Sequence, residues 1–375
     1  MIATEDFYNV LIQNDISFFS GVPDSLLKSI CAFLADNVSP ENNIIAANEG
    51  GAVALAAGYH LATGKTPLVY MQNSGLGNAI NPLLSLVDKK VYSIPVLLMI
   101  GWRGEPGVKD EPQHIKQGEV TTGLLDAMDI PFEIIPDNLE DARFIMEKSI
   151  SHIKEQNSPL AFLIKKGTFE PYQLKNRVET RFEMNREEAV KLVVDALNKD
   201  DVVVSTTGKT SRELFEYREE LGQNHHNDFL TVGSMGHASQ IALGIALKKP
   251  NKDIYCFDGD GATLMHTGSL GLIGDLAPRN FKHIIFNNGS HDSVGGQPTI
   301  AHHIDIPAIA LGFNYKQVFV AEDRNSLIAL IDKVKHADGP ILLEIKINKG
   351  ARKNLGRPTS TPIENKDNFM GLLMQ

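Results

Sequence analysis

Cysteine is almost absent from this chain: its 375 residues include two cysteines, Cys31 and Cys256, and a single tryptophan. Two cysteines do not support a disulfide framework or a cysteine-rich zinc site, so we expect both to be buried free thiols. The sequence lacks an apolar run long enough to span a membrane. Its N-terminus carries acidic residues where a secretory signal would be basic and then apolar. These absences predict a cytoplasmic protein without a membrane partner.

Positive charge is also in deficit, since 36 lysines and arginines face 46 aspartates and glutamates, for a formal net charge of −10. An acidic protein is a poor candidate for binding nucleic acid. The phosphate-binding pattern Gly-x-x-x-x-Gly-Lys-Ser/Thr is absent, which argues against a nucleotide-binding α/β protein of that type. An anionic ligand would therefore have to be bound by a local group of cations.

Short apolar runs alternate with helical patterns throughout the chain, whose length suits two domains. This alternation predicts two α/β domains, each a doubly wound parallel sheet with helices on both faces. A polar, charged segment between the halves predicts a linker. We expect domains at 1–168 and 185–375, joined by a linker at 169–184. The predicted strands are 17–20, 44–46, 68–71, 96–100, 132–135 and 160–164 in the first half, and 202–205, 229–232, 254–257, 283–286, 317–320 and 341–345 in the second.

Polar clusters follow two consecutive predicted strands in the second half. Gly259-Asp260-Gly261 follows one strand, and Asn287-Asn288 follows the next. The carboxyl ends of parallel strands meet at one edge of a sheet, where open α/β sheets bind their ligands. A carboxylate and an amide oxygen at that edge suit Mg²⁺. The glycines allow the backbone to approach a diphosphate at a helix N-terminus.

This pair of motifs resembles the thiamine-diphosphate signature, which begins with Gly-Asp-Gly and ends with Asn-Asn about thirty residues later. The resemblance implies thiamine diphosphate and Mg²⁺ as cofactors, with Asp260, Asn288 and the main-chain oxygen of Ser290 as metal ligands. Asn287 would then support the turn. Gly259, Asp260, Gly261, Ala262, Asn288 and Ser290 become the predicted cofactor-binding residues of this edge.

A glutamate in the first half fits the same family. Glu49 lies at a predicted strand end, before a helix rich in alanine and glycine. An acid at a helix N-terminus is favourable by itself. The stretch also resembles the activating-glutamate segment of thiamine-diphosphate-dependent decarboxylases. There the glutamate bonds N1′ of the aminopyrimidine, and the resemblance implies that Glu49 does so here.

Two further turns in the second half match the family. In residues 233–238, Met235 matches the bulky residue that separates the two cofactor rings, and the carbonyl of Gly233 matches the acceptor for the 4′-amino group; a core methionine is the alternative. In residues 206–211, the resemblance supports Thr207, Gly208 and Lys209 near the diphosphate, which is compatible with an N-cap cluster.

Three further positions of the first half are expected at the site. Asp24 resembles an acid that faces the substrate, and Asn73 lies in a stretch resembling the loop that lines the pyrimidine pocket. His114 lies in a polar loop that would face the cofactor, although histidines in such loops are usually solvated. We expect Glu49, Asp24 and His114 to be the catalytic residues.

The substrate prediction also comes from resemblance. FFSGVPDSLL, GWRGEPGVKDEPQHIKQG and GARKNLGRPTSTP resemble family members that convert phosphonopyruvate to phosphonoacetaldehyde and CO₂ in phosphonate biosynthesis. Sulfopyruvate decarboxylation and acetolactate-synthase-like carboligation remain alternatives. Because the family builds its site from two subunits, we expect a homo-oligomer, at least a dimer, acting on a small anionic 2-oxo acid. The substrate-binding candidates, each of which has a solvated side chain as its alternative, are Arg103, Lys109, His291, Arg352, Lys353 and Arg357.

Overall fold

The computed structural model describes residues 1–176 and 179–374, and it divides into two compact units, Met1–Arg177 and Val178–Gln375. The division falls inside the predicted linker, and the predicted domain boundaries themselves stay a prediction. Each unit contains one parallel six-stranded sheet, which confirms the predicted fold class. In the described part of the chain, no helix has both the length and the apolar character needed to cross a membrane.

The first unit has the strand order β2-β1-β3-β4-β6-β5. Its strands are β1 (Phe19–Gly21), β2 (Asn43–Ile45), β3 (Leu68–Gln72), β4 (Leu97–Gly101), β5 (Phe132–Ile134) and β6 (Leu160–Ile164). Its helices are α1 (Thr4–Gln13), α2 (Lys28–Asn37), α3 (Glu49–Thr63), α4 (Leu76–Pro82), α5 (Pro112–Ala127) and α6 (Leu139–Gln156).

The second unit has the strand order β11-β12-β10-β9-β7-β8. Its strands are β7 (Val202–Ser205), β8 (Asp228–Leu230), β9 (Ile254–Gly259), β10 (Phe281–Asn287), β11 (Gln317–Ala321) and β12 (Ile341–Lys346). Its helices are α7 (Arg186–Ala196), α8 (Lys209–Glu220), α9 (Ala238–Lys248), α10 (Asp260–Met265), α11 (Gly268–Leu276), α12 (Ile306–Gly312), α13 (Arg324–His336) and α14 (Pro362–Leu373). Counted from the N-terminus of each unit, both sheets have the order 2-1-3-4-6-5.

The central strands of each sheet are buried on both faces, which explains why they are continuous apolar runs rather than alternating ones. In β4, Leu97 and Met99 pack into the core on one face, while Leu98 and Ile100 pack into the core on the other. This alternation follows from the two-residue period of a strand. The two cysteines lie in these cores as buried free thiols, as predicted.

The predicted linker is partly core. Phe169 packs edge-on against Phe7 with ring centroids 5.0 Å apart, and both rings are buried. The backbone at Phe169 also pairs with Ile2 as an isolated parallel bridge. Although this segment is polar in composition, its Phe169 therefore belongs to the core of the first unit.

Candidate active site

Asp260 is the first residue of α10 and lies directly after β9, whose final residue is Gly259. Its side chain is 3% exposed. Burial raises the pKa of Asp260 from 3.8 to about 6, although the Thr299 hydroxyl donates a 2.5 Å hydrogen bond to Oδ2 and nearby backbone N–H groups also lower it. A carboxylate buried in this way gains strongly from a bound cation.

Asn288 and Ser290 lie beside it, after β10. The Nδ2 group of Asn288 donates to Asp292 Oδ2 at 2.7 Å, and its Oδ1 accepts from the Ser290 backbone N–H at 3.0 Å. Asn288 and Ser290 are both buried. Carboxylate, amide and carbonyl oxygens form a hard donor set, so the residues present fit Mg²⁺. Asp260, Asn288 and the Ser290 carbonyl would hold it.

A second buried acid supports the same turn. Asn287 donates from Nδ2 to Glu344 Oε1 at 2.6 Å, while its Oδ1 accepts from the Gly289 N–H at 3.0 Å. Glu344 is on β12 and 3% exposed, and burial raises its pKa. The sequence analysis missed Glu344, although a carboxylate inside the apolar run of β12 is a signal that something must bind it.

The turn after β7 contacts the other turns of this edge. The Thr207 hydroxyl oxygen accepts from the Gly233 backbone N–H at 2.9 Å. Gly208 has φ +99°, and Lys209 begins α8 with its ammonium donating to the Asp292 carbonyl at 3.0 Å. Burial lowers the pKa of Lys209. Backbone N–H groups at a helix N-terminus with a cation beside them suit a diphosphate.

One residue of the Gly-Asp-Gly motif, Gly261, lies beside the side chains of Met235 and His291. A Cβ atom added to Gly261 would lie 3.1 Å from His291 Cε1 and 3.3 Å from Met235 Cε. Burial lowers the pKa of His291 to about 4, so its imidazole is neutral at pH 7. Ala262 is buried in α10, directly after Gly261. The structure therefore brings the predicted cofactor residues of the second unit to one edge of its sheet.

Glu49 begins α3 in the first unit and is 5% exposed. The helix starts here because the Asn48 side chain caps it, accepting from the Gly51 N–H at 2.8 Å. Asn78 Nδ2 donates to Glu49 Oε2 at 2.8 Å. Gly75 lies so close that an added Cβ would be 2.5 Å from Glu49 Oε1. Glycine is therefore required at position 75 if the carboxylate is to keep this position.

Asp24 is fully buried, and burial raises its pKa. Its Oδ1 accepts from Gln72 Nε2 at 2.6 Å, and its Oδ2 accepts from the Leu26 N–H at 2.8 Å. A buried carboxyl with a raised pKa is a candidate for proton transfer.

Asn73, Arg103 and His114 form one network around Asp110. Arg103 Nε donates to Asp110 Oδ2 at 2.8 Å, and His114 Nδ1 lies 3.0 Å from Asp110 Oδ1. Burial acts to raise the pKa of Asp110, but these hydrogen bonds hold it well below the usual range. The Asn73 side chain donates to the Arg103 carbonyl at 2.8 Å and to Thr121 Oγ1 at 2.9 Å. Asn73 therefore braces the Arg103 turn, and Asp110 is a residue that the sequence analysis missed.

The C-terminal cations differ from one another. Arg352 is paired with Glu187, at 3.0 Å from Nε, and also with Glu216, whereas Lys353 and Arg357 are exposed. Lys109 is exposed as well. A cation that the sequence analysis did not single out, Lys349, is partly buried near Asp260 and Asp292. Burial lowers its pKa, while the two carboxylates act to raise it. The catalytic and binding roles assigned to all these residues stay predictions.

Comparison with known proteins identifies the family. The model of the thiamine pyrophosphate enzyme N-terminal TPP binding domain matches residues 1–129, and that of the C-terminal TPP binding domain matches residues 206–345. Thiamine pyrophosphate and thiamine diphosphate are the same compound. Phosphonopyruvate decarboxylases from Streptomyces viridochromogenes and Streptomyces hygroscopicus are each 34% identical to this chain, covering 97% of it and 93% and 92% of their own lengths.

A sulfopyruvate decarboxylase from Methanosarcina acetivorans is 27% identical over 88% of this chain and 87% of its own length. The resemblance inferred from the Gly-Asp-Gly and Asn-Asn motifs is thus confirmed along nearly the whole chain. The chain belongs to the thiamine-diphosphate-dependent decarboxylases, and thiamine diphosphate is its cofactor.

Proposed function

We propose that this chain catalyses the Mg²⁺-dependent decarboxylation of 3-phosphonopyruvate to phosphonoacetaldehyde and CO₂, as a step of phosphonate biosynthesis in the cytoplasm. The observation that carries the proposal is the end-to-end similarity to two proteins named for this reaction, at 34% identity. The relative named for the sulfonate analogue is less similar, at 27%. Sulfopyruvate is therefore the second candidate substrate.

When bound, the cofactor supplies an electron sink for the electron pair that remains when CO₂ leaves. The residues of the chain position the cofactor and supply the charges around it. Glu49, held by its hydrogen bond to Asn78, would bond N1′ of the aminopyrimidine. The oxygens of Asp260, Asn288 and Ser290 would hold Mg²⁺ against the diphosphate. Met235 would separate the two rings.

Proton movement and substrate charge are assigned to the first unit and to the C-terminal cations. Asp24 is buried and its pKa is raised by that burial, so we propose that it takes part in proton transfer during the reaction. For the phosphonate, a cation whose charge is already balanced is a weaker candidate than one that is not. On that ground Lys353, which is exposed, ranks above Arg352, which two glutamates contact; Lys349 and Arg357 stay candidates.

The proposal includes a homo-oligomer, at least a dimer. Family members build the site from the N-terminal domain of one subunit and the C-terminal domain of another. Glu49 lies in the first unit and Asp260 in the second. Sedimentation of the protein with and without thiamine diphosphate and Mg²⁺ measures the assembly, and a fully active monomer would refute this part of the proposal.

The activity is tested by phosphorus NMR. Phosphonopyruvate is incubated with the protein, thiamine diphosphate and Mg²⁺, while CO₂ release from sulfopyruvate and pyruvate is measured in parallel. A phosphonoacetaldehyde signal that requires the cofactor, with slower CO₂ release from the other two acids, is the expected result. Faster CO₂ release from sulfopyruvate would make sulfopyruvate, rather than phosphonopyruvate, the substrate. A condensation product from pyruvate would indicate carboligation instead.

A further inference from the structure

Gln297 has a side-chain amide that is buried without a partner. The residue is 1% exposed, and within residues 1–176 and 179–374 neither its Nε2 nor its Oε1 has a hydrogen-bond partner. Buried polar side chains are almost always hydrogen-bonded, so such a group calls for an explanation. An amide that lacks both its donor and its acceptor contacts is best explained by a ligand that supplies both.

Gln297 belongs to a loop that folds back on itself, residues 289–299, which we call the return loop. Ser290 and Pro298 pair as an antiparallel bridge, and the Thr299 N–H donates to the Gly289 carbonyl at 3.0 Å. The His291 N–H donates to the Gln297 carbonyl at 2.9 Å. The backbone of Gln297 is therefore fixed, and its unpartnered amide does not result from a loose segment.

The return loop contacts each of the turns assigned above to the diphosphate and the metal. Thr299 donates to Asp260, and the Asp292 carbonyl accepts from Lys209. At the tip, Ser293 Oγ lies 3.1 Å from where a Cβ on Gly208 would be. Gln297 is thus part of a segment whose neighbours on both sides contact residues of the cofactor edge.

The donor and acceptor atoms of the amide limit the classes of ligand that it can bind. Nε2 is a donor, which suits an oxygen of a phosphorus oxyanion, and Oε1 is an acceptor, which suits water bound to a divalent cation. Mg²⁺ keeps several waters and binds beside phosphate oxygens. A purely apolar or purely cationic ligand would satisfy only part of this amide or none of it.

We propose that Gln297 is a ligand-binding residue whose amide donates to a phosphorus oxyanion and accepts from metal-bound water. The oxyanion has two possible sources, the cofactor's diphosphate and the substrate's phosphonate. The inference rests on the proposed function, because both sources belong to the same reaction. It adds a recognition residue that lies nine positions after Asn288, outside the Gly-Asp-Gly and Asn-Asn motifs.

The test compares Gln297→Met, which keeps the length of the side chain and removes the amide, with Asn280→Leu as a matched control. Asn280 is also a buried amide, but it donates to the carbonyls of Ala246, Lys249 and Lys252. Without ligands, we expect Gln297→Met to unfold at or above the wild-type temperature, because no hydrogen bond is lost. Asn280→Leu should unfold at a lower temperature.

Ligand binding separates the two sources. Calorimetry of the full-length protein measures thiamine diphosphate with Mg²⁺, and then methylphosphonate added to the cofactor-loaded enzyme. A roughly tenfold loss of cofactor affinity in Gln297→Met supports the diphosphate as the source. A roughly tenfold loss confined to methylphosphonate, together with a rise of KM for phosphonopyruvate but not for pyruvate, supports the phosphonate. Asn280→Leu should leave both affinities within about twofold of wild type.

Two results would overturn the inference. One is wild-type affinity for both ligands in Gln297→Met. The other is a ligand-free unfolding temperature that falls as far as that of Asn280→Leu, because the amide would then already be satisfied by the protein. Should Gln297→Met not fold, Gln297→Asn, which withdraws the amide by one methylene, is measured against the same binding criteria. Failure of the wild-type protein to bind the cofactor or to release CO₂ would instead refute the proposed function.

Discussion

A single methyl group at position 75 should disable the site without damaging the fold. A Cβ on Gly75 would lie 2.5 Å from both Cγ and Oε1 of Glu49, whereas ordinary van der Waals contact begins at 3.4 Å, so the carboxylate must move by about 0.9 Å (3.4 − 2.5). Movement away from Gly75 also strains the 2.8 Å hydrogen bond from Asn78. The backbone at Gly75, with φ −73° and ψ −15°, accommodates alanine, so the whole effect comes from this contact.

A displacement of about 1 Å in a positioned catalytic group costs on the order of 100-fold in rate, or about 3 kcal/mol of transition-state stabilisation. We therefore expect Gly75→Ala to lower kcat about 100-fold while its thermal unfolding temperature and its affinity for thiamine diphosphate stay close to wild type. The control is Gly123→Ala, since Gly123 is an exposed glycine of α5 whose added Cβ would meet nothing within 4 Å. Steady-state CO₂ release measures both variants. Activity of Gly75→Ala within about threefold of wild type would refute the role given to Glu49.

Three further predictions concern charged residues. Glu49→Gln should fold normally and lose at least about 100-fold in turnover, and near-normal CO₂ release would contradict the assignment. For Asp260, burial raises the pKa from 3.8 to about 6, so the cofactor-free protein loses up to about 3 kcal/mol of stability as pH rises through 6. Asp260→Asn should avoid that loss of stability and should abolish Mg²⁺ binding. Denaturant unfolding of the wild type and the variant at pH 4 and pH 8 measures the stability difference. Equal stability of the wild type and Asp260→Asn at pH 8 would count against the predicted loss. Arg352→Met should lower stability by about 1 kcal/mol or less, since its pairs with Glu187 and Glu216 are partly exposed, and leave KM nearly unchanged; a tenfold rise in KM would make Arg352 a substrate ligand.

The strands and the polar residues that follow them were predictable because each depends on local sequence. Buried parallel strands require apolar runs, and a polar residue that ends such a run stands out, as Glu49, Asp260 and Asn288 do. Two predicted strands, 160–164 and 202–205, match the observed ones, and the other ten differ by one or two residues at one end or both. For example, β9 continues to Gly259 because Asp258 and Gly259 still pair with β10, a contact that the strand's own sequence does not reveal. The lateral order of the strands was not predicted.

The partners of the site residues were not predictable, because they depend on how the chain folds and not on sequence spacing alone. Glu187 is 165 positions from Arg352, so a count of nearby basic residues gave no sign that this cation is already paired. Asp110 forms hydrogen bonds with both Arg103 and His114 because the loop between them folds into a turn. The sequence placed Gln297 just after the predicted metal loop, but its unpartnered amide becomes visible only when its surroundings are known.

The shared strand order of the two units gives every loop of one unit a counterpart in the other. The loop after the second strand carries Glu49 in the first unit and Met235 in the second. The loop after the fourth strand carries Arg103 in one and Asn288 in the other. No sequence repeat accompanies this match. The two halves are thus topological duplicates, in which equivalent segments carry residues with different proposed roles: Glu49 in proton chemistry and Met235 in shaping the cofactor. Comparison of equivalent loops is therefore a way to search such chains for function.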